Sequence, residues 1–81
     1  MSIGVALLGC TGSIGRSALA VLDRHRDRFH VVALAANKSA AELAQQVERF
    51  KPDYVALVET TGREGLIEAA THPRAEEAWA G

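Results

Sequence analysis

The chain has 81 residues, of which 48% are hydrophobic and 23% charged, the composition of an ordinary globular domain and not of a disordered, collagenous or coiled-coil chain. Nine basic and ten acidic residues give a formal net charge of -1, so global charge does not favour binding to nucleic acid or to an anionic membrane. One cysteine cannot form an internal disulfide, and no apolar run suits a membrane span or a secretory signal. These features predict a cytoplasmic protein with neither nucleic-acid nor membrane partners.

The first third of the chain predicts a strand followed by a helix. Residues 3–8 form an apolar run that ends at Gly9, which is typical of a strand buried on both faces. Residues 13–25 then show apolar side chains at helical spacing. That spacing predicts a buried helix face made of Ile14, Ala18, Val21 and Leu22.

The middle of the chain repeats this strand and helix alternation. Residues 29–36 are apolar and include two β-branched valines, which favours a second strand. Ser39 and Glu42 have the spacing of a capping box, and Pro52 ends the helix that this box would begin. A third strand is predicted over residues 54–58.

The last part predicts one more helix, over residues 61–71, and the complete order defines the fold class. It is the α/β class, as the amino-terminal β-α-β-α-β-α part of a Rossmann-like doubly wound parallel sheet. In this winding, the second strand pairs with the first and the third lies outside the second. We expect residues 1–73 to form a partial Rossmann domain and residues 74–81 to be an unassigned tail of a truncated chain. The free edge of the first strand should then be exposed.

A glycine-rich turn joins the first strand to the first helix. A tight turn requires backbone freedom at Gly9. A pyrophosphate that approaches the backbone leaves no room for a side chain at Gly12, and close contact between the helix and the strand requires a small residue at Gly15. The hydroxyls of Thr11 and Ser13 stand beside the first helical amides, which attract anions. The alternative is a glycine-rich turn that binds no ligand. Because this turn lies between a strand and an amphipathic helix, a dinucleotide site is favoured.

The end of the second strand favours NADPH over NADH. Units that bind NAD place an acidic residue there, against the adenosine 2′-hydroxyl, but no acid occurs between residues 28 and 41. Asn37, Lys38 and Ser39 stand in its place, and a cation, a hydroxyl and helix amides suit a 2′-phosphate. The alternative is a solvated lysine followed by an ordinary helix cap. The partial domain is therefore predicted to bind NADPH.

The lone Cys10 and the three histidines are interpreted structurally. Cys10 has no histidine or acid near it in sequence, so we expect a small buried residue and not a nucleophile. The histidines lack metal-ligand spacing and are expected at the surface or at helix ends.

Four segments together resemble the amino terminus of the 1-deoxy-D-xylulose 5-phosphate reductoisomerase family: residues 3–15, 29–36, 37–39 and 50–52. The phrase Gly-Cys-Thr-Gly-Ser-Ile-Gly is close to that family's Gly-Ser-Thr-Gly-Ser-Ile-Gly. The resemblance extends to about residue 67. It implies NADPH contacts at Thr11, Gly12, Ser13, Ile14, Asn37, Lys38 and Ser39. The chain departs from the family pattern at Cys10 and at Ser39, where the family commonly has a smaller residue and an asparagine.

The resemblance also implies chemistry for a longer parent enzyme. That enzyme rearranges 1-deoxy-D-xylulose 5-phosphate and reduces it with NADPH to 2-C-methyl-D-erythritol 4-phosphate, a step in the synthesis of isoprenoid precursors. It uses a divalent metal, Mg or Mn, acts on a small phosphorylated sugar and is a homodimer. The family's metal ligands and catalytic residues come later in its chain, so we assign no catalytic or metal residue here and expect these 81 residues alone to be inactive.

Two other functions remain open from the sequence. Semialdehyde and acyl-phosphate dehydrogenases also begin with a similar glycine turn and lack the acid after the second strand, but commonly carry a Ser-Arg-rich loop where residues 35–39 stand here. The other alternative is a stand-alone nucleotide-binding module without catalysis.

Overall fold

A computed structural model describes residues 2–80, which form one parallel sheet of four strands with helices on both faces. The structure does not describe Met1, the first residue of the predicted domain over residues 1–73, or Gly81, the last residue of the predicted tail over residues 74–81. The strands are β1 (Ile3–Leu8), β2 (Phe29–Ala36), β3 (Tyr54–Leu57) and β4 (Glu77–Ala80). The helices are α1 (Ser13–Arg24), α2 (Ala40–Phe50), α3 (Val58–Thr61) and α4 (Glu64–Ala70).

The sheet order is β3-β2-β1-β4, so the predicted winding of the first three strands is confirmed. The predicted exposed edge of β1 is wrong, because β4 pairs with it in parallel from Val5 opposite Glu77 to Leu8 opposite Ala80. The ring of Trp79 meets the ring of Phe29 edge to face, with centroids 5.6 Å apart, which anchors β4 to the sheet. The sheet therefore takes a strand from residues 74–81, which the sequence left unassigned.

The two faces of the sheet are covered differently. On one face, the larger side chains of β1 and β2 pack against α1 and α2, with Leu7, Leu22 and Leu34 almost fully buried. On the other face the buried side chains are alanines, such as Ala33 and Ala69, and this face packs against α4. Small side chains let α4 lie close to the strands. No helix within residues 2–80 has the length and apolar character needed to cross a membrane.

The buried face of α1 differs from the predicted one. Its buried residues are Gly15, Leu19 and Leu22, whereas Ile14 and Val21 are 68% and 47% exposed. Of the four residues predicted on this face, Leu22 is buried and Ala18 is partly buried. The reason is the contact of Gly15 with the preceding turn, because this contact fixes the rotation of the helix and carries the residues four and seven positions later onto the sheet.

The helix predicted over residues 61–71 corresponds to α4, which begins at Glu64, and a short unpredicted helix, α3, precedes it. β3 ends at Leu57, one residue before the predicted end. Gly62 separates α3 from α4, and its φ of 75° lies in the left-handed region, where a regular helix cannot continue. The break is therefore set by backbone geometry at one glycine.

Candidate dinucleotide-binding site

The glycine turn between β1 and α1 is fixed by backbone hydrogen bonds to β2. The amides of Gly9 and Cys10 both donate to the carbonyl oxygen of Ala35, at 2.7 and 3.0 Å, and the amide of Gly12 donates to the carbonyl of Gly9 at 3.2 Å. Gly9 has a φ of 77°, which glycine adopts without strain. The backbone freedom predicted at this position is confirmed.

The other two glycines of the turn meet opposite surroundings. A Cβ at Gly15 would lie 2.0 Å from the carbonyl oxygen of Gly9, so the fold itself excludes a side chain there. A Cβ at Gly12 would meet only that same oxygen, at 3.6 Å, which is ordinary contact, and the φ of −75° at Gly12 suits any residue. The space beside Gly12 is thus an open cradle that a side chain would fill. This cradle fits the pyrophosphate of a dinucleotide.

The start of α1 is electrostatically suited to an anion. Gly12 is the N-cap residue and provides no side-chain cap, and the first turn carries no acidic residue. The amides of the first turn have no carbonyl partner inside the helix, and the positive end of the helix dipole lies there. Arg16 adds a cation nearby, although its Nε lies 3.6 Å from Oε2 of Glu42.

The structure brings the two predicted binding segments together. The hydroxyl of Thr11 donates a hydrogen bond of 3.3 Å to the backbone carbonyl of Lys38, which joins the glycine turn to the β2–α2 loop. The carbonyl of Asn37 accepts a bond of 3.1 Å from the amide of Glu59 in α3. Residues 11–14 and 37–39 therefore lie side by side, at the carboxyl ends of β1 and β2, where ligands of doubly wound folds bind.

The β2–α2 loop presents a cation and a hydroxyl to solvent. Lys38 and Ser39 are both exposed, and within residues 2–80 Lys38 forms no ion pair. The capping box predicted at Ser39 is wrong. Ser39 has a left-handed φ of 73° and makes no side-chain cap, because capping requires an extended backbone. Its hydroxyl and the first amides of α2 are consequently left for another acceptor.

Ile14 lies in the first turn of α1 with its side chain exposed, so the backbone amide is the group that it offers to an anion. One contact of the turn has no counterpart in the sequence reasoning. The side-chain amide of Gln46, in α2, donates a bond of 2.9 Å to the carbonyl of Cys10. Gln46 follows no motif, so no local pattern identifies it.

Cys10 is a buried thiol beneath the turn, as predicted. Burial raises its pKa to about 11, so the thiol keeps its proton at neutral pH and is a poor nucleophile. Among residues 2–80, no three His, Cys, Asp or Glu side chains are grouped so that they could hold a metal ion. The described residues therefore offer chemistry for binding an anionic cofactor and no metal centre.

The parallel sheet, the glycine turn before α1 and the cationic loop after β2 define a Rossmann-like α/β unit of the class that binds dinucleotides. The family model of 1-deoxy-D-xylulose 5-phosphate reductoisomerase matches residues 5–81. The chain belongs to this family. Membership favours the reductoisomerase interpretation over the semialdehyde and acyl-phosphate dehydrogenases.

Curated relatives and a solved structure agree with this assignment. The chain is 42% identical over 95 residues to a reductoisomerase of Symbiobacterium thermophilum, a match covering 90% of the chain and 24% of that protein. Identity to the Nitrosospira multiformis reductoisomerase is 50% over 62 residues, covering 76% of the chain and 16% of that protein. The chain thus spans a quarter or less of the length of these relatives.

The reductoisomerase of Zymomonas mobilis, solved in complex with NADPH, superposes over 100% of this chain and 21% of its own, with a TM-score of 0.70 and 34% identity. A second reductoisomerase structure, a magnesium complex, has the same TM-score at 23% identity and shows the shared fold. The doubly wound fold class predicted from the sequence is confirmed.

Proposed function

We propose that the chain is the NADPH-binding part of a 1-deoxy-D-xylulose 5-phosphate reductoisomerase. The complete enzyme, meaning a polypeptide of family length that carries these 81 residues, would convert 1-deoxy-D-xylulose 5-phosphate to 2-C-methyl-D-erythritol 4-phosphate for isoprenoid precursor synthesis. The observation that carries the proposal is the bond between Thr11 and Lys38, because it holds a phosphate-binding turn beside a cationic loop. Family membership and the NADPH complex of the Zymomonas relative support it.

Two groups of residues would hold the two phosphate-bearing parts of NADPH, the pyrophosphate and the 2′-phosphate. The turn residues Thr11, Gly12, Ser13 and Ile14 would bind the pyrophosphate through backbone amides and the Ser13 hydroxyl, since the Thr11 hydroxyl already donates to the carbonyl of Lys38. The loop residues Asn37, Lys38 and Ser39 would bind the 2′-phosphate through a cation, a hydroxyl and the first amides of α2. When bound, NADPH supplies the hydride for the reduction. The role of this chain is to bind and orient that cofactor.

The remaining parts of the proposal concern the complete enzyme. It would act on a phosphorylated sugar with the help of a divalent metal, Mg or Mn, as the magnesium complex of a relative supports. We assign no catalytic or metal role to residues 2–80, where no suitable ligand cluster occurs. We further propose a cytoplasmic homodimer with no nucleic-acid or membrane partner.

Replacing Lys38 with alanine should weaken NADPH binding by about tenfold and NADH binding by less than about twofold. Only NADPH carries the 2′-phosphate that Lys38 would contact, so the loss should be selective. Fluorescence titration of the complete enzyme with each cofactor measures both dissociation constants.

Lys51→Ala is the matched control, because Lys51 is the only other lysine and ends α2 at the far side from the loop. It should leave the ratio of the two constants unchanged. An equal loss of NADPH and NADH in Lys38→Ala would mean that Lys38 does not contact the 2′-phosphate.

A further inference from the structure

The backbone of Cys10 is held from two sides, through its N–H and through its C=O. The Cys10 amide is bonded to Ala35 in β2, and the Cys10 carbonyl accepts the side-chain amide of Gln46 in α2 at 2.9 Å. β1 has ended at Leu8, so this carbonyl has no place in the sheet ladder. Gln46 takes the place of the missing backbone partner.

The orientation of the peptide between Cys10 and Thr11 determines where the next amide points. The Cys10–Thr11 peptide is trans, and a trans peptide is planar with its C=O and N–H pointing in opposite directions. Since the Cys10 carbonyl points to α2, the Thr11 N–H points away from α2. Within residues 2–80 this N–H donates to no protein acceptor. It is therefore an oriented donor, available for a ligand at the start of the phosphate-binding turn.

The Gln46 side chain is not arranged for stability alone. Its Nε2 donates to Cys10, but its Oε1 is buried and has no hydrogen-bond partner among the described residues. A buried unpaired acceptor is unfavourable, and turning the amide over would place that oxygen against the Cys10 carbonyl. An apolar side chain of the same length would avoid the unpaired oxygen. The donated bond is thus what the glutamine provides.

We propose that Gln46 is a positioning residue for cofactor binding, which orients the Thr11 amide toward the NADPH pyrophosphate by holding the Cys10 carbonyl against α2. The inference rests on the proposed function and extends it to a residue outside the turn and the loop. Gln46 touches no part of the cofactor in this account. It acts through the Cys10–Thr11 peptide.

The test is Gln46→Met in the complete enzyme, which keeps the length of the side chain and removes both the donor and the unpaired oxygen. We expect the dissociation constants of NADPH and NADH to rise by the same factor, about tenfold, because both cofactors share the pyrophosphate. KM for NADPH should rise with kcat nearly unchanged at saturating cofactor. The denaturant midpoint should stay close to that of the wild type, which separates positioning from a loss of fold.

Gln45→Met is the matched control, since the neighbouring Gln45 is exposed at the rim of the same α1–α2 groove. It should bind both cofactors as the wild type does. Gln46→Glu adds a pH profile. Its protonated carboxyl can donate to Cys10, whereas the ionised form cannot. The affinity of this variant for both cofactors, relative to the wild type, should therefore fall as pH rises through the pKa of that carboxyl, which is ordinarily about 4.3. The charged side chains that line the groove around Gln46 are Arg16 and Asp23 on α1 and Glu42 and Arg49 on α2.

The outcomes separate this inference from the proposed function. A wild-type enzyme that binds neither NADPH nor NADH overturns the proposed function, and the role of Gln46 falls with it. Wild-type binding together with unchanged affinity in Gln46→Met overturns only the role of Gln46. A selective loss of NADPH in Gln46→Met would also contradict it, because it would place Gln46 at the 2′-phosphate.

Discussion

Gly12→Val is expected to raise the dissociation constant of NADPH by at least about 100-fold in an enzyme that remains folded. A Cβ at Gly12 meets only one protein atom, the carbonyl oxygen of Gly9 at 3.6 Å, so the branched side chain would extend into the cradle. The pyrophosphate needs that space to approach the amides of α1. Fluorescence titration with NADPH measures the loss, and the thermal melting curve reports the fold.

Gly12→Ser separates this steric effect from a change in stability. Serine is a favourable N-cap residue, and α1 now begins without a side-chain cap, so the variant should be at least as stable as the wild type. It should still bind NADPH more weakly, because its side chain enters the cradle. Full NADPH affinity in both variants would show that the phosphates bind elsewhere.

Gly15→Ala is expected to lower the free energy of unfolding by about 3 kcal/mol, near the upper end of typical overpacking effects. The added Cβ would lie 2.0 Å from the carbonyl oxygen of Gly9 and 2.8 Å from the Cα of Cys10, and both are backbone atoms that cannot turn aside. α1 would have to move away from the sheet. Denaturant unfolding measures the effect.

The direction of the change in the free energy of unfolding is informative, because alanine is about 1 kcal/mol more favourable than glycine inside a helix. Without the clash, Gly15→Ala would therefore stabilise the protein. Gly12→Ala is the control at the other glycine of the turn, where the Cβ fits, and it should change stability by less than about 1 kcal/mol. A Gly15→Ala variant as stable as the wild type would contradict the close contact between α1 and the turn.

The strands with continuous apolar runs were predictable, and β4 was not. β1 and β2 are buried on both faces, so their sequences are nearly uniform in hydrophobicity. β4 is a short edge strand of mostly exposed residues, Glu-Ala-Trp-Ala, which has no distinguishing pattern. Its place beside β1 depends on long-range pairing and on the contact of Trp79 with Phe29.

Helical spacing identified α1 but not its buried face. Two apolar stripes fit the same spacing, one through Ile14 and Val21 and one through Leu19 and Leu22. Periodicity cannot choose between stripes of similar hydrophobicity. The choice is made by Gly15, whose contact with the turn fixes the rotation of the helix.

The candidate site was predictable where local chemistry determines it. The spacing of Gly9, Gly12 and Gly15 indicated different roles. The turn geometry confirms the backbone freedom at Gly9 and the close helix contact at Gly15, and it leaves open space beside Gly12. The left-handed backbone of Ser39 and the hydrogen bond of Gln46 to the turn could not be read from spacing. Both depend on how α2 lies against the end of β1, which is a property of the folded chain.

The most direct test of the account is a crystal structure of the complete enzyme with NADPH. We expect the 2′-phosphate within hydrogen-bond distance, about 3 Å, of Lys38 Nζ or the Ser39 hydroxyl. The pyrophosphate should accept hydrogen bonds from amides of residues 11–14. Cofactor phosphates bound away from both segments, with the space beside Gly12 left empty, would contradict the account.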